Sequence, residues 1–301
     1  MHRYFGSVTA LAFIALSAMT LTFTACDSSP TGSSGGGGKT RAVVVGISQY
    51  RVPSFNLSYA DDDALDYFNA LVQGSNWEPG EITVLLNGQA TRSAILDAIE
   101  NVGGSLGSDD KFVFYFSGHG TFGPDVPPID EADGVDEYIV PHDALSNSAA
   151  NNIRDDELEV TIRSLPTTNV LVVLDSSFSG GMIKAGRRPT GKVKFVDQGL
   201  MIGAEIRRPD GMFKDLDVAP GVITQTASQS NESPLESSAL RNGVFTFYLV
   251  EGMQGAANPN GSAITAQQAF SYAAPRATAF NSGQHARQQD NRGSPYTLII
   301  K

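Results

Sequence analysis

Beyond position 39 the chain alternates short apolar runs with stretches whose apolar residues recur every three or four positions. Segments 41–47, 82–86, 111–116, 169–174 and 221–226 are dense in Val, Ile, Leu and Phe, which predicts five strands buried on both faces. Between them Leu57, Ala60, Ala64, Leu65, Phe68, Leu71 and Val72 keep helical spacing. Ala94, Ile95, Ala98, Ile99 and Val102 do the same up to a Gly103-Gly104 stop. Leu158, Ile162 and Leu165 mark a third helix, with Asp155 or Asp156 as the expected N-cap. Segments 244–253 and 265–280 predict two more helices, and 296–300 a closing strand. Such alternation implies one α/β domain over residues 39–301, with a mostly parallel central sheet and helices on both faces. Chemistry on a sheet of this kind collects beyond the carboxyl ends of the strands.

The amino end has a different character. His2 and Arg3 precede an apolar, small-residue stretch over 4–25, and Thr24-Ala25-Cys26 follows. Residues 1–25 resemble a bacterial lipoprotein signal peptide, in which the cysteine becomes the first mature residue and carries lipid; Phe23 stands where leucine is usual. An uncleaved membrane helix is the alternative, since about 20 apolar residues span a bilayer. Either reading predicts a domain held at a membrane and facing away from the cytoplasm, in the first case in a bacterial cell envelope. Residues 26–38 then form a Gly/Ser-rich tether reaching on the order of 20 Å. Gly38-Lys39-Thr40 is no phosphate loop, because Ser33 stands where the first glycine belongs and the segment precedes a strand.

Composition narrows the function classes. The chain has 301 residues, 41% hydrophobic and 18% charged, with 21 Lys+Arg against 32 Asp+Glu and a net charge of -11. That charge argues against nucleic acid as a partner and favours cationic ones. The single cysteine, Cys26, excludes an internal disulfide and a cysteine-based zinc site, and His2, His119, His142 and His285 lack ligand spacing.

Two predicted strand ends carry chemistry-bearing loops, Ser117-Gly118-His119-Gly120 and Asp175-Ser176-Ser177-Phe178-Ser179-Gly180. A base and a nucleophile on neighbouring strand ends, with glycines admitting a substrate carbonyl, is an arrangement for acyl transfer. Phe114-Tyr115-Phe116-Ser117-Gly118-His119-Gly120 and Val172-Val173-Leu174-Asp175-Ser176-Ser177-Phe178-Ser179-Gly180 resemble the His and Cys motifs of caspase-like peptidases, above all bacterial and metacaspase-type members. The interval between them is similar to the roughly 50 residues of caspases. Leu57-Ser58-Tyr59-Ala60-Asp61-Asp62-Asp63-Ala64 resembles the family's first helix, and residues 243–252 its late helix.

The resemblance implies a caspase-like three-layer sandwich and a set of site residues. His119 would be the base, Ser177 would stand at the nucleophile position, and the Gly120 and Ser177 amides would hold the oxyanion. Asp63, Ser117 and Asp175 would receive a basic side chain, so a peptide or protein with Arg or Lys is the expected partner. No cofactor is required for the chemistry. Calcium is implied at Asp136, Asp155 and Asp156, although Lys184 stands where a further acidic ligand is expected, and helix capping is an equal reading of Asp155 and Asp156.

The departure from the family is Ser177 in place of cysteine. A thiol supplies a few per cent thiolate at neutral pH, whereas an alcohol needs a strongly oriented base. No third member behind His119 is evident in the motif. The leading expectation is a pseudopeptidase that binds basic peptides; an active cysteine peptidase bearing a Cys-to-Ser change, or a serine-dependent hydrolase, are the alternatives. Lys184, Arg187, Arg188, Lys192, Lys194, Arg207, Arg208 and Lys214 form a basic stretch after the nucleophile loop, either a solvated loop or, beside an acidic pocket, a self-cleavage or pseudosubstrate segment.

Overall fold

The computed structural model describes residues 38–127, 129, 134–177, 191–200, 219–229 and 232–301. The leader and nearly all of the tether, with Cys26, lie outside these residues, as do Lys184, Arg187, Arg188, Arg207, Arg208 and Lys214. Along the chain run β1 (Thr40–Gly46), α1 (Ala60–Val72), β2 (Ile82–Leu86), α2 (Arg92–Gly103), β3 (Lys111–Ser117), β4 (Gly120–Pro124), β5 (Val135–Ile139), β6 (Ile153–Arg154), α3 (Asp155–Arg163) and β7 (Asn169–Asp175). There follow β8 (Val222–Thr226), β9 (Glu236–Ser237), β10 (Asn242–Gly243), α4 (Val244–Glu251), β11 (Ala263–Thr265), α5 (Ala266–Phe280), β12 (Arg287–Asp290) and β13 (Thr297–Ile300).

The five apolar runs become β1, β2, β3, β7 and β8, all parallel, in a six-stranded sheet of order β12-β8-β7-β3-β1-β2. Successive side chains of each strand point to opposite faces, and both faces are apolar. Val43, Val45, Phe112, Phe114, Phe116, Val172 and Leu174 pack with Ile95, Ile99, Leu158 and Ile162 from α2 and α3. The alternate residues Val44, Val113, Tyr115, Leu171 and Val173 pack with Tyr67, Leu71, Phe245, Leu249 and Ala269 from α1, α4 and α5. Two independent cores, one on each face, make the three-layer sandwich that the alternating pattern predicts.

Three local features differ from expectation. The N-cap of α3 is Arg154, with Asp155 and Asp156 inside the first turn, where their charge compensates the helix dipole instead of capping it. The sixth strand of the sheet, β12, is antiparallel to β8 and was not foreseen: its Arg-Gln-Gln-Asp sequence is polar because an edge strand faces water. The closing strand β13 pairs with β11 in a separate two-stranded ribbon. The N-cap of α5 does follow the sequence rule, with Thr265 accepting from the Gln268 amide in a capping box.

Candidate active site

Parallel register brings the chemistry together. Gly46, Ser117 and Asp175 are lateral partners at the carboxyl ends of β1, β3 and β7. At Gly46 a Cβ would lie 2.5 Å from both the Ala60 carbonyl oxygen and the Ala64 Cβ, so only glycine lets α1 sit this close to the sheet. Asp63, one position before Ala64, is thereby carried over Ser117, whose Oγ donates to Asp63 Oδ2 at 2.7 Å. Asp63, Ser117 and Asp175 are all fully buried, which rules out Asp63 as a solvated helix charge. The structure brings these three side chains together at the strand ends.

The pocket is filled by Lys194. Its Nζ lies 2.6 Å from Asp63 Oδ2, 3.1 Å from Asp175 Oδ1 and 2.8 Å from Ser117 Oγ, and its side chain is 0% exposed. Burial alone would depress this ammonium's pKa, but Asp175 and Asp63 outweigh it and hold the pKa above the ordinary lysine value. Burial, opposed by Lys194 and reinforced by Asp63, raises Asp175. Two carboxylates thus face one cation inside the pocket. The sequence reading left open whether the basic stretch is solvated; for Lys194 it is not, while Lys192 remains exposed and donates from Nζ to the Asn56 carbonyl at 2.9 Å.

Residues that sequence reasoning missed complete the pocket. Gly243, the N-cap of α4, donates its amide to Asp63 Oδ1 at 2.7 Å, and a Cβ there would lie 2.4 Å from both Asp175 Oδ2 and Lys194 Nζ. Thr246 gives Asp175 Oδ2 a hydroxyl hydrogen bond of 2.7 Å. Glu236 accepts the Ser58 and Tyr59 amides at 2.8 Å each, fixing the start of α1 from far along the chain.

The main chain of Lys194 is held as firmly as its side chain. Its carbonyl oxygen accepts from the Gly120 amide at 3.1 Å and the Ser177 amide at 3.0 Å, the two donors expected to form the oxyanion hole. Lys194 N donates to the Pro234 carbonyl at 3.2 Å, Glu236 N to the Lys192 carbonyl at 2.9 Å, and Val196 N to the Gly120 carbonyl at 3.2 Å. Residues 192–196 thus lie extended across the cleft, paired with residues 234–236 before Lys194 and with β4 after it.

His119 is oriented by a group with no sequence signature. Its Nε2 lies 2.7 Å from the Phe55 carbonyl oxygen, so the proton belongs on Nε2 and Nδ1 is left with its lone pair. Among the described residues Nδ1 is buried without a hydrogen-bond partner. Its backbone amide donates to the Tyr50 hydroxyl at 2.8 Å, with the Tyr50 ring packed beside the imidazole. Burial lowers the pKa of His119 to about 4, with the Phe55 carbonyl opposing and the charges of Lys194 and Lys192 reinforcing. The imidazole is therefore neutral near pH 7, as a base must be. Phe55 supplies the third member that the His119 motif lacks.

The Ser177 hydroxyl and the His119 imidazole are not hydrogen-bonded to each other. Ser177 Oγ donates to the Glu232 carbonyl at 2.9 Å and lies 3.3 Å from Ser233 Oγ, so its proton points to a backbone acceptor. A base acts on a hydroxyl only within hydrogen-bond reach of the proton it removes.

Two of the three expected calcium ligands, Asp136 and Asp156, lie against an arginine. Arg154 Nε lies 3.1 Å from Asp156 Oδ2 and its NH1 3.6 Å from Asp136 Oδ2, while NH1 also donates to the Val126 carbonyl at 3.0 Å. Asp136 Oδ2 further accepts from the Val126 amide and the Tyr138 hydroxyl. Among the described residues no group of three His, Cys, Asp or Glu side chains is arranged to hold a metal ion. As arranged, this donor set does not fit calcium: the guanidinium already supplies the positive charge.

Comparison with known proteins agrees with this geometry. Residues 40–185 match the metacaspase, peptidase C14 domain family. The chain is 30% identical over 162 residues to Metacaspase-4 of Arabidopsis thaliana, covering 50% of this chain and 36% of that protein. It is 29% identical over 154 residues to Metacaspase-1 of Schizosaccharomyces pombe, covering 48% of this chain and 35% of that one. The matched region thus spans about a third of the length of these relatives. The fold is shared with a crystal structure of a Geobacter sulfurreducens protein, at a TM-score of 0.61 and 20% identity over 87% of this chain and all of that one. With the His119 and Ser177 loops on adjacent strand ends of the matched region, residues 40–185 carry a metacaspase-type domain of the caspase-like peptidase family.

Proposed function

We propose that this domain binds peptides through a lysine or arginine side chain, and that serine at the nucleophile position leaves it a peptide receptor with impaired or absent hydrolysis. The observation that carries the reading is Lys194: a basic side chain between Asp63 and Asp175, with its carbonyl on the Gly120 and Ser177 amides. This is the pose in which a peptidase of this kind would hold a basic residue before the scissile bond. The occupant is the domain's own chain, so the cleft is self-occluded, with Lys194–Phe195 as the peptide bond presented to position 177. Impairment follows from the Ser177 proton lying on the Glu232 carbonyl, not on His119.

The parts needed for cleavage are otherwise present. His119 keeps a free Nδ1 and the oxyanion donors are backbone amides, which a side-chain change does not remove. A thiol at position 177 would attack the bound carbonyl as thiolate, its proton passing to Nδ1 and then to the leaving amine, with an acyl-enzyme hydrolysed by water. A basic-residue peptide library offered to the Lys194→Ala chain, with its pocket vacated, and to the same chain bearing Ser177→Cys, with and without calcium, tests this. Saturable binding by both and cleavage after Lys or Arg by the cysteine chain alone is expected; cleavage by the chain that keeps Ser177 would instead make Ser177 a working nucleophile. Binding indifferent to the basic residue would refute the pocket.

For the domain's location, we propose attachment within the bacterial cell envelope, on the side of a membrane away from the cytoplasm, through lipid on Cys26, with residues 27–38 as spacer; the support is the leader-like sequence before Cys26. Metabolic labelling with a fatty-acid analogue, lost in Cys26→Ala, is the expected result.

A further inference from the structure

The pose of Lys194 fixes a register for the residues around it, and this register carries an inference about the position that follows the basic residue. The inference rests on the basic-pocket reading above. Gly120 donates to the Lys194 carbonyl, and the next residue, Phe195, forms a parallel bridge with Gly120. The strand that supplies this oxyanion donor is β4, and residues two apart on a strand share a face about 7 Å apart. Phe122 therefore stands on the same face as Gly120, one pleat further along the direction in which the bound segment runs. Its ring stacks on that of Phe195, with centroids 5.8 Å apart and planes 25° apart. Both rings are half-buried, so neither is demanded by the core. Opposite, the register of β4 with β5 places Glu137 across from Phe122.

We propose that Phe122 is a specificity-determining residue of the cleft, selecting an aromatic side chain immediately after the basic residue of a bound peptide. The peptide class is thus a basic residue followed by Phe, Tyr or Trp, the pattern that Lys194-Phe195 itself carries. Offset stacking of this kind contributes enough for about a two- to tenfold preference over alanine.

The test uses the full chain bearing Lys194→Ala and Phe195→Ala, which removes the internal side chains from both positions while leaving Phe122, the pocket carboxylates and the oxyanion amides in place. Fluorescein-labelled peptides Lys-Val-Lys-Phe-Val and Lys-Val-Lys-Ala-Val, each also made with norleucine for the central lysine, are titrated by polarisation. The phenylalanine peptide is expected to bind about two- to tenfold more tightly. Adding Phe122→Ala should abolish that difference and leave the alanine peptide unaffected, while Phe122→Leu, which keeps apolar bulk without stacking, should retain only part of it. Equal affinities of the two lysine peptides, or a preference that survives Phe122→Ala, would overturn the assignment while leaving the basic pocket intact. Norleucine peptides binding as well as the lysine peptides would overturn the pocket, and the register with it.

Discussion

Replacing Lys194 with alanine is the sharpest probe of the site. The substitution removes the only cation within hydrogen-bond distance of Asp63 and Asp175 among the described residues and leaves both carboxylates sealed from water. Breaking a buried ion pair by deleting one partner costs about 3–5 kcal/mol, because the remaining charge is uncompensated. In a domain of this size each kcal/mol corresponds to roughly 2–4 °C in Tm, so a loss of about 6–20 °C is expected near pH 7.5. The pH dependence has a definite sign. Burial already raises the Asp175 carboxyl and Lys194 opposes that rise; without the ammonium it rises further above its unfolded value, so the folded state binds more protons, and the variant recovers stability as pH falls. Lys192→Ala changes the same formal charge in the same segment, but Lys192 is exposed; its effect should stay within ~0.5 kcal/mol. Differential scanning calorimetry of the three chains between pH 8 and 5 reads all of this. A Lys194→Ala chain melting within about 2 °C of the native one at pH 7.5, or a deficit that does not narrow on acidification, would refute the claim that the two aspartates hold a paired charge. Addition of N-acetyl-lysine amide should raise the variant's Tm and not that of the native chain, because only the variant has a vacant pocket.

Three further outcomes follow from geometry already described. Gly243→Ala places a methyl group 2.4 Å from Asp175 Oδ2 and Lys194 Nζ, so it should cost about 1–3 kcal/mol in urea unfolding and weaken basic-peptide binding in the Lys194→Ala background. His119, lowered to about 4 in the folded state, has its neutral form favoured by burial; the folded chain therefore loses stability as pH falls from about 6.5 towards 4, on the order of 3 kcal/mol in all, and His119→Gln should flatten the unfolding profile over that window. Because Arg154 already lies against Asp136 and Asp156, millimolar calcium should leave the Tm of the native chain unchanged, whereas Arg154→Ala should be destabilised without calcium and partly rescued by it; a calcium-dependent shift in the native chain would show that Arg154 yields its place.

How much of this could be read from sequence depended on how local each signal is. The parallel strands announced themselves because burial on both faces demands unbroken runs such as Val172-Val173-Leu174, and the parallel register then aligned Ser117 with Asp175 without further information. Asp63, Ser117, Asp175, His119, Gly120 and Ser177 were all identifiable because they sit inside motifs. The edge strand β12 was not, since Arg287-Gln288-Gln289-Asp290 has no apolar alternation to show. Nor was Phe55, whose contribution to His119 is a carbonyl oxygen that any residue would bring. Gly243 looked like an ordinary helix start; its reason for being glycine lies in Asp63, Asp175 and Lys194, all remote in sequence. Lys194 did leave a trace: Val193, Phe195 and Val196 flank it, an apolar setting at odds with a solvated loop. The Arg154 contacts were hidden because a motif reads acidic positions and ignores the cation between them.

The extended segment 192–196 also determines how the cleft behaves toward anything arriving from solution. An occupant joined to the protein by its own backbone competes at an effective concentration in the millimolar range, without the loss of translational freedom that a free peptide suffers. A free peptide offering the same contacts would therefore need roughly millimolar levels to fill half of the clefts. Filling of the cleft from solution is therefore governed less by how tightly a peptide fits than by how often Lys194 leaves its place.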